Sequence, residues 1–184
     1  MSTENNNLYE NSINILKDLI SFKTISGEDN NQLIDYCDQL LKQIGATSFR
    51  TYDKEKKRVN LFSTLKAKKN SNKIPIILSG HTDVVPVSNG WSSDPFKAVI
   101  KDGKLYGRGS CDMKGFIACV LSYAPSFSST TLDRDIHFSF TFDEETACIG
   151  APILIKELKN KGINKGICIV GEPTNMKIID AHKG

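Results

Sequence analysis

The sequence predicts an α/β fold in three layers, a mixed, mainly parallel sheet flanked by helices. Three observations carry that expectation. Segments with helical apolar spacing alternate with short apolar runs along the 184-residue chain. One run, Ile74-Pro-Ile-Ile-Leu78, is continuous, the pattern of a strand covered on both faces. Glycines punctuate the boundaries, at Ser26-Gly27, Gly45 and Gly162.

Taken in order, Leu8 to Phe22 carries Leu8, Ile15, Leu16, Leu19 and Phe22 on one helical stripe. A second helix is expected from Asn31 to Ile44, with Leu33, Cys37, Leu40 and Leu41 inward and Gly45 as its stop. Arg58 to Leu65 and Ile74 to Ser79 are expected strands, joined by the polar stretch Lys66 to Lys73. Ala98 to Gly107 has the pattern of a hairpin turning at Lys101-Asp102-Gly103-Lys104. Helical spacing returns from Met113 to Tyr123, a strand follows at Ile136 to Phe142, and a helix at Ala147 to Leu158. Ile167 to Val170 is a further strand, and Lys177 to Ala181 a last one. Residues 1–184 are thus expected to form one domain.

Composition narrows the function. Hydrophobic residues make up 39% and charged residues 24%, an ordinary balance, and the net charge is only +3. The basic runs Lys54 to Arg58 and Lys66 to Lys69 have the pattern of solvated loops, so no nucleic acid partner is expected. The five cysteines are odd in number, widely spaced and free of any Cys-x-x-Cys pair, which argues against a disulfide framework and a thiolate zinc site. Met1 to Glu10 is polar, and no stretch nears the roughly 20 apolar residues of a membrane span. A cytoplasmic protein without a membrane partner is the expectation.

Chemistry gathers at strand ends, where open α/β sheets bind ligands. Ile74 to Ser79 runs into Gly80-His81-Thr82-Asp83, Ile136 to Phe142 into Asp143-Glu144-Glu145, and Ile167 to Val170 into Gly171-Glu172-Pro173. A Gly-rich turn before a helix adds Asp112. Each piece alone has a plain reading: His81 as a structural histidine, the acidic triplet as a helix N-terminus, Glu172 as a turn. Together they put one histidine and five carboxylates, Asp83, Asp112, Glu144, Glu145 and Glu172, on one rim. Such a rim repels itself unless cations are bound, and imidazole with carboxylate oxygen is a ligand set for zinc, with cobalt or manganese as substitutes. In an extended segment residues two apart share a face, so Asp83 is expected to accept the second ring N–H of His81.

These stretches resemble the dinuclear zinc amidohydrolase and metallopeptidase family that contains acetylornithine deacetylase, succinyl-diaminopimelate desuccinylase, aminoacylases and carboxypeptidase G. The matching residues are Ser79 to Pro86, Trp91 with Asp94-Pro-Phe96, Gly107 to Gly115, Asp143-Glu-Glu145 with Gly150-Ala151, and Gly171 to Thr174. The version Cys111 to Ala118, Glu172-Pro-Thr174 and Ala181-His-Lys-Gly184 look most like the acetylornithine deacetylase branch. The resemblance implies two zinc ions, with His81 and Glu172 on one, Glu145 on the other and Asp112 bridging them. It further implies Glu144 as general base, Asp83 as the residue orienting His81, and a cis peptide at Asp112-Met113. The implied reaction is hydrolysis of the amide bond of a small N-acyl amino acid, N-acetylornithine first, with succinyl-diaminopimelate as the alternative substrate.

Family members are longer, with a lid or dimerisation domain inserted near the point where this chain stops, and a homodimeric full-length form is implied. The resemblance therefore implies that residues 1–184 are the N-terminal part of the metal-binding catalytic domain, an incomplete one without its lid. The pattern's last histidine ligand has no counterpart: His182 belongs to the closing Ala-His-Lys-Gly, and His137 sits inside an expected strand. A non-catalytic remnant that binds metal or a partner is the reading of another class. A phosphate module at Gly107 to Gly109 fails on the acidic rim.

Overall fold

The computed structural model describes residues 3–68 and 72–181. Helix α1 (Thr3–Ser21) and helix α2 (Asn31–Gln43) precede strands β1 (Thr47–Tyr52), β2 (Val59–Leu65) and β3 (Ile76–His81). The hairpin β4 (Val99–Lys101) and β5 (Lys104–Tyr106) follows, then α3 (Lys114–Ser129), β6 (Ile136–Thr141), α4 (Gly150–Asn160) and β7 (Ile167–Val170). The hairpin turns at Asp102 and Gly103, both at positive φ, as a two-residue turn requires.

The main sheet runs β1-β2-β6-β3-β7. Its β1, β2 and β6 pair antiparallel, and β6, β3 and β7 pair parallel. The mixed sheet lies between helices, as the alternating pattern requires. Strand periodicity explains the layers. Ile136, Phe138 and Phe140 of β6, with Val59, Leu61 and Leu65 of β2, face a core built from α1, α2 and α3. In that core Leu19, Ile20, Leu33, Ile34 and Ile117 are wholly buried. Asn60, Thr64, His137 and Ser139 alternate with them and point the other way, towards the side where Asn60 meets α4. The site-bearing strands are therefore anchored through one apolar face, while the other, where Ile77 and Val170 stand beside Ser79, Ser139 and His81, lines a cleft.

Three expectations need correction. Strand β1 was not foreseen, because Thr-Ser-Phe-Arg-Thr-Tyr has no apolar run; it is held by its antiparallel register with β2. Lys177 to Ala181 is not a strand: Ile178 and Ile179 are 99% and 57% exposed and find no neighbour to pair with among the described residues. The run from Ile74 to Leu78 is only half-buried, since β3 is closely covered by α3 on one face alone. Helix α3 also extends past Tyr123 and through Pro125 to Ser129. The Ala-His-Lys-Gly junction lies, from His182 on, outside the described residues.

Candidate metal centre

Parallel register builds the site. With His81 opposite Thr141 and Ser79 opposite Val170, the carboxyl ends of β6, β3 and β7 fall side by side. The residues just beyond each end, Glu144, Asp83 and Glu172, are thereby delivered to one place. Thr82 N–H continues the ladder to the Thr141 carbonyl at 2.8 Å, and Gly171 N–H to that of Ser79 at 3.3 Å. A side chain at Gly171 would strike the Phe116 ring, 1.9 Å from where its Cβ would lie, so only glycine lets the chain turn there towards Glu172. The fourth contribution comes from the turn ahead of α3. There the Asp112-Met113 peptide is cis, and buried Met113 accepts the His81 N–H on its sulfur at 3.2 Å.

His81 is buried, and its Nε2 points into the cluster, 3.1 Å from Asp112 Oδ1, 3.8 Å from Glu172 Oε1 and 3.9 Å from Glu144 Oε2. One ligand atom each from His81, Asp112 and Glu172 lies within 4.8 Å of the others. Glu145 is not in that triad; it lines, with Asp112, a small cavity beside Gly107 to Cys111. Glu144, with its side chain 40% exposed, lines a separate cleft of about 340 Å³ with His81 and Glu172.

Electrostatics follow from this crowding. Burial, then the Asp112 and Glu144 carboxylates, push Glu172 up to about 7 against the pull of His81. Burial and Asp112 likewise raise Glu145. His81 goes the opposite way to its burial: desolvation alone would lower it, but Asp83 and Glu172 raise it to about 9. Carboxylates raised by one another around an imidazole nitrogen are a donor set suited to a divalent cation, and the mixture of nitrogen and oxygen fits zinc, cobalt or manganese.

Asp83 does more than the sequence suggests. The nearer acceptor for His81 Nδ1 is the Asp83 backbone carbonyl at 2.9 Å, with carboxylate Oδ1 at 3.5 Å. The carboxylate instead accepts Ser26 Oγ–H at 2.7 Å and the backbone N–H groups of Glu144 and Glu145 at 3.0 and 3.3 Å. It therefore ties the β3 end to the β6 end, and burial notwithstanding, His81 first, then Ser26 and the Glu144 amide, hold it below the usual carboxylate range. Ser26, Gly27, Arg58 and Asp143 share in this network, although the sequence reading gives none of the four a role in the site. Lys114 was also missed: wholly buried, it donates to the carbonyls of Leu19 and Phe22 at 3.0 and 2.8 Å, which fastens the Asp112 turn to the end of α1.

The strand-end geometry brings together a donor set of the kind that can hold a divalent cation. A sequence profile of Peptidase family M20/M25/M40 matches residues 77–182, and the chain belongs to that family. Among its relatives, the succinyl-diaminopimelate desuccinylase of Rickettsia felis is 40% identical over 176 residues, 91% of this chain and 45% of that protein. The acetylornithine deacetylase of Pasteurella multocida is 44% identical over 110 residues, 59% of this chain and 28% of that protein. The chain thus spans less than half the length of these relatives. A metallo-carboxypeptidase of family M20 from Sulfolobus solfataricus shares the fold, with TM-score 0.74 at 20% identity over 87% of this chain and 37% of the other. Among the described residues no helix is long and apolar enough to cross a membrane.

Proposed function

We propose that this chain contributes the metal-binding part of a zinc-dependent amidohydrolase acting on small N-acyl amino acids, with N-acetylornithine as the first substrate to test. The observation that carries the reading is the convergence of His81, Asp112 and Glu172 within 4.8 Å, with Glu144 beside them and uncommitted to backbone. In this reading His81, Asp112 and Glu172 would hold one ion, and Glu145 with Asp112 would hold a second. Bound there, zinc would polarise the amide carbonyl and acidify water towards a pKa of roughly 7.

The chain's own residues do the rest. His81 presents Nε2 because its Nδ1 is held by the Asp83 carbonyl, which fixes the tautomer. Glu144 opens onto the cleft, where it takes a proton from the attacking water and returns it to the leaving amine. Glu145 stays free for metal because its neighbour performs the proton transfer. Five free cysteines accord with a reducing, cytoplasmic setting.

A second substrate reading has its own support. The Rickettsia felis desuccinylase is similar across nearly the whole chain, so succinyl-diaminopimelate is an equally concrete candidate. The test is calorimetric zinc titration of this chain and of its full-length form, with hydrolysis of both substrates followed on the same samples. Zinc uptake with turnover of one of them supports the reading and chooses between the two. Absence of zinc binding to either form would sink it, and zinc binding without turnover of either would leave the metal centre and remove the amidohydrolase assignment.

A further inference from the structure

Glu144 and Glu145 lie in a turn that is gripped from outside the cluster. Asp143, just ahead of them, has φ 51° and is only 1% exposed. Left-handed backbone is uncommon for a residue with a side chain, and asparagine and aspartate are the usual exceptions because their short side chains bond locally. Here both carboxylate oxygens are engaged at long range. Oδ1 accepts Gly27 N–H at 2.7 Å, and Oδ2 accepts Nη1–H of Arg58.

Arg58 arrives already fixed. Its Nε and Nη2 donate to Asp53 Oδ2 at 2.9 and 2.8 Å, and the guanidinium lies 5.6 Å from the centre of the Phe142 ring. Asp53 is itself held, its Oδ1 accepting the backbone N–H groups of Lys57 and Arg58 at 2.9 and 3.1 Å. One planar cation thus joins two buried carboxylates, a task to which the forked guanidinium is suited and a lysine is not. On the other flank of the turn, the Glu144 and Glu145 N–H groups rest on Asp83.

We propose that Arg58 is a positioning residue for Glu144 and Glu145, acting through Asp143. It bonds Asp53 and Asp143 rather than the cluster itself, so its effect is on where the two glutamates stand. Removing the guanidinium leaves the Asp143 carboxylate buried with the Gly27 N–H as its remaining partner, a costly state that opening the turn relieves. Opening the turn withdraws the two amides from Asp83. The role rests on the metal-centre reading above only in what the glutamates are positioned for.

The test is amide hydrogen exchange by NMR on Arg58→Met, Arg58→Lys and the double variant Arg58→Met/Asp143→Asn. In Arg58→Met the Glu144 and Glu145 amides are expected to exchange about 10-fold faster or more, while Leu61 and Ser63 in β2 keep their protection. Arg58→Lys should restore part of it. If Arg58→Met does not fold, the double variant, which removes the orphaned charge, is expected to fold with the same two amides unprotected. Unchanged exchange at Glu144 and Glu145, or an equal rise across the sheet, overturns the proposal. Cobalt titration of wild type and Glu145→Gln tests the reading separately: equal uptake by both sinks Glu145 as a ligand while leaving the exchange result to stand.

Discussion

At the scale of single residues, the proposed division of work between two adjacent glutamates rests on where each side chain lies. Glu144 is near His81 and lines the cleft, whereas Glu145 lines a different cavity together with Asp112. Glu144→Gln keeps the size of the side chain and removes its basicity, so turnover is expected to fall about 10²–10⁴-fold with zinc uptake nearly intact. Zinc lost in that variant would show that Glu144 is a ligand and would undo the division of labour. His81, Glu144, Glu145 and Glu172 stood out in the sequence because each lies just beyond an apolar run, whereas Asp112 stood out only through the Gly-rich turn ahead of a helix. Arg58 and Asp143 were not legible as partners, since 85 residues separate two groups that only the folded sheet brings together. The same holds for Ser26 and Asp83, 57 residues apart.

At the scale of elements, the β2–β6 pair contains a buried histidine that has no part in the cluster. His137 is 3% exposed, its Nδ1 lies 2.9 Å from Thr64 Oγ1, and its ring packs 4.9 Å from that of Phe62. Burial lowers its pKa below the ordinary 6.5. The unfolded chain therefore takes up a proton before the folded one does, and stability falls as pH drops below 6.5 towards the folded value. The lowered carboxylates, Asp38 and Asp53 among them, act only in more acid solution, below about pH 4. Glu172 and Glu145, raised in the folded chain, act with the opposite sign in the same window, so His137 is read by difference. Between about pH 7.5 and about pH 5.5 the urea midpoint of His137→Gln should fall less, or rise more, than that of the wild type. An unaltered pH dependence in His137→Gln would show that His137 does not contribute to it. Strand identity was legible where composition was apolar, as in β2, β3, β6 and β7. It failed at β1 and beyond Thr174, where a strand depends on finding a neighbour rather than on its own residues. The β7 edge shows the converse, a clear strand whose Ile167, Ile169 and Val170 remain about half exposed.

For the whole molecule, metal and fold should be one equilibrium. The cluster joins β3, the α3 turn and the end of β7, so a cation bound there favours the folded chain over the unfolded one. Zinc at 100 times its dissociation constant would add about 2.7 kcal/mol. For a chain of this size that corresponds to a thermal midpoint higher by roughly 5–10 °C, reversed by a chelator. A midpoint indifferent to zinc would mean that the three ligands do not act together. The layered fold and the acidic rim were both apparent from periodicity and position. The hydrogen-bonded scaffold that sets angles and distances was not, because it is made of contacts between distant segments.

The parallel register of β3 with β7 also sets an order in time. His81 and Glu172 stand 91 positions apart (172 − 81), so at roughly 5–20 residues per second a ribosome needs about 5–18 s to supply the second after the first. Until β7 docks beside β3, a nascent chain can offer His81 and Asp112 but not the complete triad. A cation held by the proposed triad would then be captured late in biosynthesis, after the core of α1, α2 and α3 has been made.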